Sequence, residues 1–299
     1  MNTIKEILAC IFVHFPVAVV KLRYLLRFKK LPNLKSPKDL NEKILYMKLY
    51  NDTSLWTRLA DKVSVRNYVK ECGLEHILVK LYAVWNDASA IRFEELPDSF
   101  MLKSNNGDGK GTNVPVYDKN ALTEAEIQVL IAKAGKWLAQ KNIGALSAEP
   151  HYSRIKPLVF AEELLPIPKG EKSIVDYKLW CFNGEPFIFL VILNRKSGGE
   201  AELACYDLNW NNRSDLLEES KHYHIRREAL QRPENLDAMI EYSRILAKPF
   251  PQVRVDLYNI NGKIYFGELT FTSLGGMMNY FTPQALLEMG RKVNLEYVK

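Results

Sequence analysis

The chain has 299 residues, of which 47% are hydrophobic and 25% are charged, proportions typical of a globular protein with material for a substantial core. They exclude a disordered, collagen-like or disulfide-stapled chain. Residues 1–43 hold nine basic and three acidic side chains, which accounts for the whole net charge of +6. Because the rest of the chain is neutral overall, the charge argues against a general nucleic-acid-binding surface, and we expect no nucleic-acid partner.

The N-terminal arm combines an apolar run with these basic residues. Residues 7–20 are apolar except for His14, but this run of 14 residues is shorter than the roughly 20 that cross a bilayer. Three alternatives stay open: a helix that packs on the body or lies on a membrane surface, a core helix, and a processed or spanning segment. The basic residues that follow favour contact with anionic headgroups. Four widely spaced cysteines indicate neither a zinc site nor a disulfide framework, and fit a reducing cytoplasm.

The first half of the chain predicts mostly helices. Turn-forming residues, N-cap side chains and a capping box at Thr123 and Glu126 mark the helix starts. The predicted elements are, in order, a helix from Ser36 or Pro37 to Tyr50, a helix that begins at Asp61 and stops at Gly73, strands over residues 78–84 and 98–103, and a helix from residue 123 to about residue 140.

The second half predicts mostly strands. They cover residues 157–165, 174–182, 186–193, 200–206, 252–258 and 263–270, with helices near residues 233–248 and from Pro283. The last two strands flank Asn261-Gly262, which is a strong hairpin signal. Clusters of strands interrupted by helices, without a regular alternation of strand and helix, predict an α+β fold with largely antiparallel sheets.

A glycine-rich segment joins the strand over 98–103 to strand-like sequence that begins at Val114. Gly107, Gly109 and Gly111 lie close to Lys103 and Lys110. Glycine lets backbone N–H groups approach phosphate oxygens closely, and the lysines add positive charge. The spacing is neither that of a Walker P-loop nor that of a dinucleotide fingerprint. The segment therefore indicates a phosphate-binding loop, with a mobile surface turn as the alternative.

Three charged residues flank the predicted hairpin. If the loop has three residues and ends at Gly262 in the left-handed conformation, Arg254 lies opposite Glu268, and Asp256 shares their face. Two carboxylates at that spacing suit a divalent cation. A two-residue loop would instead put Glu268 on the opposite face and remove the site. The structural alternative is a cross-strand ion pair between Arg254 and Glu268.

These motifs occur in an order that resembles the ATP-grasp superfamily. The order is Asp61-Lys62, Lys103 with the glycine loop, Glu162-Glu163-Leu164-Leu165, Asp176-Tyr177-Lys178, Arg254-Val255-Asp256 and Glu268-x-Thr270. Within it, Asn41-Glu42-Lys43, Phe160-Ala161-Glu162-Glu163-Leu164, Asp176-Tyr177-Lys178 and the stretch 253–258 look like the teichuronopeptide-biosynthesis (TupA-like) branch. The resemblance extends from about residue 35 to residue 290.

The resemblance implies an ATP-grasp fold of the α+β class, in which two antiparallel-sheet-plus-helix subdomains clamp ATP. It implies a helical basic arm over residues 1–55, an N-terminal subdomain with the glycine loop and hinge over 56–165, and a C-terminal subdomain with the metal site over 166–299. The implied cofactors are ATP and Mg²⁺.

The resemblance also assigns roles to residues. Those implied to contact the nucleotide are Lys62, Lys103, Gly107, Gly109, Lys110, Gly111 and the adenine hinge Glu162, Glu163, Leu164 and Leu165. Lys178 would approach the phosphates, and Arg254 the transferred phosphoryl group or the developing oxyanion. Asp256, Glu268 and Thr270 would hold one or two Mg²⁺ ions.

Two further segments are candidates for recognition of the acceptor. Thr272, Ser273, Gly275 and Gly276 resemble, in type and position, the substrate loop of carboxylate–amine ligases. His151 and Arg154 form the second candidate, although the favoured alternative for His151 is a satisfied side chain in a packed loop.

The activity implied is that of an ATP-dependent, ADP-forming carboxylate–amine ligase that works through an acyl phosphate. The branch suggests that an amino acid is joined to a uronic acid of a cell-surface polysaccharide or its precursor, at the inner face of the membrane. The rivals are a kinase on the same scaffold, a glycosyltransferase and a non-catalytic nucleotide- or sugar-binding module. No Ser-His or Cys-His pattern indicates a side-chain nucleophile, in agreement with a ligase.

Overall fold

The computed structural model describes residues 8–107, 111–196 and 199–297. The strands are β1 (Leu81–Trp85), β2 (Phe100–Ser104), β3 (Asn113–Val116), β4 (Val159–Glu162), β5 (Asp176–Phe182), β6 (Glu185–Leu193), β7 (Ala201–Asp207), β8 (Tyr223–Ile225), β9 (Gln252–Ile260) and β10 (Lys263–Thr270). They form a four-stranded sheet in the order β1-β4-β2-β3 and a six-stranded sheet in the order β10-β9-β5-β6-β7-β8. Only the β7–β8 pair among these strands is parallel.

The helices agree with most of the predicted ones. They are α1 (Pro16–Phe28), α2 (Leu40–Tyr50), α3 (Ser54–Ala60), α4 (Val65–Glu71), α5 (Glu124–Leu138), α6 (Pro150–Ser153), α7 (Leu236–Ala247) and α8 (Pro283–Lys292). The capping box of Thr123 and Glu126 is present at the start of α5. The sequence did not predict α3 or β8, which have seven and three residues and are too short for a clear hydrophobic period.

The helix predicted to begin at Asp61 begins at Val65 instead. The Asp61 carboxylate caps the preceding turn, where it accepts hydrogen bonds from the backbone N–H groups of Val63 and Ser64 at 2.9 and 3.3 Å. Asp61 therefore caps backbone N–H groups, as predicted, but it does so in the turn before the helix and not at the helix start. This turn places Lys62 beside the end of β2, because the Lys62 N–H donates to the Asn105 carbonyl at 3.0 Å.

Each sheet buries one face against its own helix. Helix α5 covers the four-stranded sheet, where Trp137 packs in one cluster with Phe100 and Leu102. Helix α7 contacts β5, β6 and β9 of the six-stranded sheet, and its buried Met239 belongs to the same core as Val255. These two apolar faces leave the opposite face of each sheet free to carry polar side chains.

The N-terminal arm packs on the body as a helix. Val19, Val20 and Tyr24 of α1 are buried, in a cluster with Leu45 and Met277. Among the described residues, no helix combines the length and the apolar character that crossing a membrane requires. The arm thus follows the packed-helix alternative, and its outer side is exposed.

Candidate active site

The β9–β10 hairpin has a different register from the favoured prediction. Lys263 pairs with Ile260, so the loop contains only Asn261 and Gly262, both with positive φ, at 51° and 77°. Such a pair of left-handed residues is typical of a two-residue hairpin turn. The three-residue loop was therefore wrong.

The charged residues nevertheless share a face, because the strand contains a bulge. The register shifts between Phe266 and Glu268, which leaves Gly267 as the extra residue and turns Glu268 to the face of its partner Asp256. A Cβ atom at Gly267 would lie 3.0 Å from the Asp256 carbonyl oxygen, so the bulge favours a residue without a side chain. The prediction that a two-residue loop removes the site was wrong because it assumed a regular ladder.

Three strands now place polar side chains in register. Lys178 of β5 lies opposite Asp256 of β9, which lies opposite Glu268 of β10. In the next row, Arg254 of β9 lies opposite Thr270 of β10. We call these five residues the charged rows. All five point to the face away from α7, since partners that are directly opposite in a sheet point the same way.

Arg254 is the most connected member of the charged rows. Its Nε and Nη2 atoms donate to the two Asp256 carboxylate oxygens at 2.6 and 2.7 Å, a bidentate geometry that favours both charges. Nη2 also donates to the Thr270 hydroxyl at 3.0 Å, and Nη1 to the Ser273 hydroxyl at 2.6 Å. Burial by itself lowers the pKa of Arg254, but the neighbouring Asp256 carboxylate outweighs it and raises that pKa.

The carboxylates differ in how open they are. The Asp256 side chain is 3% exposed and also pairs with the Lys178 ammonium. The Glu268 side chain is 40% exposed and lies 3.6 Å from Lys62 Nζ and 3.5 Å from Arg254 Nη2. Desolvation raises the pKa of Glu268, but the attraction of Lys62, Lys178 and Arg254 lowers it to about 2. Glu268 is therefore ionised at neutral pH and accessible from solvent.

The four-stranded sheet carries a second charged group on its face away from α5. Lys103 of β2 donates to Glu162 of β4 at 2.5 Å. Arg66 of α4 lies 3.9 Å from the same carboxylate and donates to the Val79 carbonyl at 2.5 Å. Glu162 is thus held between two cations, and Lys103 is fixed at the strand end where the glycine loop begins.

Lys62 connects this group to the charged rows. Its Nζ donates to the Gly107 carbonyl at 2.7 Å and faces Glu268 across the gap between the two sheets. The glycine loop joins the antiparallel strands β2 and β3, as the resemblance implies. Gly107 is closely packed, because an added Cβ would lie 2.1 Å from the Thr112 hydroxyl, and Gly111 has φ 75°. The other two predicted loop residues, Gly109 and Lys110, lie outside the described residues.

The predicted adenine hinge lies where the two sheets meet. Glu162 ends β4, and the Glu163 N–H donates to the Lys80 carbonyl at 2.9 Å. Leu164 is half-buried. Leu165 packs against a small apolar cluster that joins both parts of the chain, formed by Val79, Ile260, Tyr265, Ile174 and Tyr258. The arrangement offers apolar side chains and backbone groups beside the charged rows.

The predicted substrate loop is anchored directly to the charged rows. Ser273 accepts a hydrogen bond from Arg254, and the Thr272 hydroxyl donates to Glu149 at 2.5 Å. Gly275 and Gly276 both have positive φ, at 68° and 76°. A Cβ atom at Gly276 would lie 2.9 Å from Ile44 of α2, so this glycine permits close packing.

Helix α2 supports this loop from beneath, which the sequence reasoning missed. The fully buried Lys48 donates to the carbonyls of Ser147 and Gly275 at 2.8 and 2.7 Å. Asn41 binds both the carbonyl and the N–H of Met278, at 2.8 and 3.0 Å. Burial lowers the pKa of Lys48 to about 8, against the attraction of Glu149. Asn41 lies in a motif that the resemblance did include, so its signal was present.

His151 and Arg154 do not join the charged rows. His151 is fully buried and packs edge-on against the Trp56 ring. Burial, together with the nearby Lys48 and Arg154, lowers its pKa to about 3, so the imidazole is neutral. The hydrogen bonds that the structure gives Arg154 are to Pro150 and Thr53. His151 thus lies in a packed loop, with Nε2 3.5 Å from the Thr272 hydroxyl. It is not a fully satisfied side chain, because its buried Nδ1 atom has no hydrogen-bond partner among the described residues.

The charged rows suit a hard divalent cation beside a polyphosphate. Among the described residues, no group of three or more His, Cys, Asp and Glu side chains is arranged to hold a metal. Asp256 and Glu268 supply two carboxylates, which is the number that Mg²⁺ commonly takes from protein when phosphate and water complete its shell. The Thr270 hydroxyl, 3.1 Å from Glu268 Oε1, orients one of them. Glu268 therefore fits the ion that the fold family implies, and Asp256 fits it when its pairs with Arg254 and Lys178 open.

Sequence reasoning also missed two arginines, Arg195 and Arg66, that lie beside the site. Arg195, after β6, pairs with Asp176 at the start of β5, and Lys178 lies 4.0 Å from the same carboxylate. Arg66 lies near Glu162, as described above. The sequence contained little indication of their role, because the partner of a single arginine in a helix or loop is determined only by the fold.

Comparison with solved structures gives distant matches to ligases and a synthetase. D-alanine–D-alanine ligase from Bacillus anthracis is 16% identical over 79% of this chain and 67% of its own, with a TM-score of 0.47. N5-carboxyaminoimidazole synthetase from Staphylococcus aureus, complexed with ADP, is 12% identical over 77% and 50%, with a TM-score of 0.43. The ATP-grasp ligase PsnB, complexed with a minimal precursor, Mg and ADP, is 13% identical over 83% and 65%, with a TM-score of 0.40. This chain spans between half and two thirds of their lengths.

No curated protein matches the sequence. The family described as TupA-like ATPgrasp matches residues 42–293, which include both sheets, the charged rows and the glycine loop. The predicted α+β class and the resemblance are confirmed. The chain belongs to the TupA-like ATP-grasp family.

Proposed function

We propose that the protein is an ATP-dependent carboxylate–amine ligase whose site is the gap between the two sheets. The single observation that carries this proposal is the set of charged rows on β5, β9 and β10, opposite the Lys103–Glu162 pair. Four cations surround the gap (Lys62, Lys103, Lys178 and Arg254), beside two carboxylates that suit Mg²⁺. Positive groups around paired carboxylates are what a metal-bound polyphosphate requires.

The residues divide between the two ends of the nucleotide. Leu164, Leu165 and the adjoining apolar cluster form a surface for the adenine ring, and Glu163 lies beside them. Lys62 and Lys103 lie where the glycine loop begins, and bind phosphate oxygens. Mg²⁺, when bound by Asp256 and Glu268, neutralises charge on the phosphates and supplies several kcal/mol of stabilisation to the transition state.

The chemistry needs no side-chain nucleophile. A carboxylate oxygen of the acceptor attacks the γ-phosphorus of ATP, the bond to the β–γ bridging oxygen breaks, and ADP leaves. An amine then attacks the acyl carbon, inorganic phosphate leaves with the bonding electron pair, and the amine loses a proton. Arg254, which is linked to both Asp256 and Ser273, stabilises the negative charge that develops on the transferring oxygens.

The acceptor carboxylate lies, in this proposal, against the substrate loop at Thr272, Ser273, Gly275 and Gly276. Its close connection to Arg254 supports this placement, because the group that receives phosphate must lie in line with the γ-phosphate. The proposed acceptor is a uronic acid of a cell-surface polysaccharide or of its precursor, and the amine is an amino acid. Membership of the TupA-like family is the basis for this choice.

The experiment measures ADP release by the full chain with Mg²⁺ and ATP. A panel of uronic acids and a panel of amino acids are added singly and together, and the products are identified by mass spectrometry. With the carboxylate alone, a ligase releases no more ADP than there is enzyme. It turns over when the amine is added. The product has the summed mass of both substrates less one water.

The other outcomes identify the rivals. Sustained ADP release with one substrate and a phosphorylated product shows a kinase. Turnover of a nucleotide sugar without ATP shows a glycosyltransferase. Binding of ATP without ADP release under any of these conditions shows a non-catalytic module. Glu268→Gln is the matched control, because it removes the accessible carboxylate from the site and keeps a side chain of the same shape.

A further inference from the structure

Helix α1 has two apolar sides, of which the body covers only one. Val19, Val20 and Tyr24 are buried, whereas Leu22 and Leu26 are 52% and 63% exposed. A surface helix usually presents polar residues to water on the side away from the core. An uncovered apolar side on a helix that is already anchored therefore requires an explanation.

The exposed side continues beyond the helix. The large hydrophobic residues exposed in this part of the chain are Leu8, Ile11, Val13, Phe15, Leu22, Leu25, Leu26 and Leu31. Within α1, Leu22, Leu25 and Leu26 recur at intervals of three and four residues, so they lie along one side of the helix. We call these three residues the leucine stripe; all three are exposed, whereas Val19, one turn earlier, is buried.

The basic side chains of the arm also divide into those that bind the body and those that are exposed without a described hydrogen bond to it. Residues 7–38 contain seven lysines and arginines and no aspartate or glutamate. Arg23 donates to the Leu146 carbonyl at 2.8 Å, and Arg27 to the Asn279 side chain at 2.5 Å. These arginines fix α1 to the body, while Lys21, Lys29 and Lys30 are exposed.

We propose that α1 docks the protein on an anionic membrane surface. The leucine stripe lies at the boundary between headgroups and acyl chains, and Lys21, Lys29 and Lys30 contact lipid phosphates. An apolar side flanked by lysines, without acids, is complementary to a lipid surface that is apolar inside and negative outside. A protein partner of the usual mixed surface charge has no such complementarity.

The position of α1 also relates membrane docking to the substrate loop. This step rests on the proposed function. Helix α1 packs against Ala148 and Met277, which lie on the two segments beside the substrate loop. The loop is therefore held close to the docked helix. A membrane-bound protein would present this loop toward an acceptor whose sugar is carried on a lipid.

The test uses the full chain and vesicle flotation without ATP or acceptor. Vesicles of phosphatidylglycerol and phosphatidylcholine in equal amounts are compared with vesicles of phosphatidylcholine alone. Binding to the anionic vesicles is expected to weaken by at least about tenfold in the Leu22→Ser, Leu25→Ser, Leu26→Ser triple variant. The matched control replaces Tyr117 and Val129, which lie on the four-stranded side and are more exposed than the three leucines, with serine. It should bind as the wild type does.

A second variant, Lys21→Gln, Lys29→Gln, Lys30→Gln, keeps the leucines and removes the charges. It should bind both kinds of vesicle alike, without the salt dependence that is expected of the wild type. Wild-type protein that fails to float with anionic vesicles overturns the proposal. So does a wild type that sediments as a dimer while the leucine variant is a monomer, since a second copy then covers the stripe. Neither result depends on ligase activity, so failure of the proposed function is recognised separately.

Discussion

Strand β9 has two faces that are both buried but chemically opposite. On one, Val253, Val255 and Leu257 are fully buried in the largest core. On the other, Arg254 and Asp256 are 8% and 2% exposed. Burying apolar side chains stabilises the fold, whereas burying charges costs free energy unless they are paired.

The difference between the two faces separates the stability of the protein from its function. Replacing a buried ion pair by apolar residues of similar size is often neutral or stabilising, so stability alone does not require the charged face. The charges are better explained by a ligand that needs them. Substitutions on the two faces of β9 should therefore separate stability from activity.

The largest effect is expected from Asp256→Asn. The change leaves the Arg254 guanidinium and the Lys178 ammonium without their shared partner in a site that is nearly closed to water. We expect a loss of about 3–5 kcal/mol in the free energy of unfolding, together with loss of ADP release. Chemical denaturation measures the first and a coupled ADP assay the second.

The control removes the three most buried charges of these rows together. In the Lys178→Met, Arg254→Met, Asp256→Leu variant no buried charge is left without a partner, and the exposed Glu268 keeps Lys62. Most of the lost stability should therefore return while activity stays absent. A triple variant as unstable as Asp256→Asn would show that the charged face does contribute to the fold.

Glu268→Gln should separate stability from activity most clearly. The side chain is 40% exposed, so its pairs with Lys62 and Arg254 contribute at most about 1 kcal/mol to stability. If Glu268 binds Mg²⁺, the rate of ADP release should fall by at least about 100-fold, because the metal supplies several kcal/mol in the transition state. Near-normal turnover in a variant that melts early would instead support a plain ion pair.

Val255→Ala tests the apolar face of the same strand. The side chain is fully buried, and its truncation leaves a small cavity, so we expect a loss of about 2 kcal/mol of stability. The KM for ATP and kcat, measured well below the melting temperature, should stay within about twofold of the wild type. A large fall in kcat would contradict the separation of the two faces.

Gly267→Ala tests the bulge that aligns the carboxylates. The new Cβ would lie 3.0 Å from the Asp256 carbonyl oxygen, so one strand must shift by a few tenths of an ångström. We expect a stability loss of about 1 kcal/mol and an increase in the KM for Mg·ATP. Gly262→Ala, in the turn of the same hairpin, is the control. It strains a positive φ but should leave that KM unchanged.

The smallest effect is the acid dependence of stability due to Glu268. Its pKa is lowered from 4.5 to about 2 in the folded protein, so its contribution is complete above pH 4.5 and is lost as the pH falls toward 2. The stability advantage of the wild type over Glu268→Gln should shrink between pH 5 and pH 3 in urea titrations. An advantage that grows as the pH falls would contradict the sign of this coupling.

The sequence by itself determined the parts that depend on local chemistry. The alternation of Val253, Arg254, Val255 and Asp256 specifies a strand with one apolar and one charged face. The Asn261-Gly262 pair specifies a tight hairpin, and Thr123 with Glu126 specifies a capped helix. The order of motifs identified the family. Each of these signals lies within a few residues of the structure that it forms.

The tertiary structure alone decided which charged groups meet. The bulge at Gly267 depends on contact with β9, so no local pattern placed Glu268 on the charged face. Lys62, Arg66 and Lys103 reach the same gap from separate turns, helices and strands, and only the packing of two sheets brings them near Glu268. Helix α2 anchors the substrate loop through Lys48, which in sequence resembles any surface lysine. Long-range pairing of this kind depends on which faces of the strands and helices are buried against each other. No single sequence position determines that.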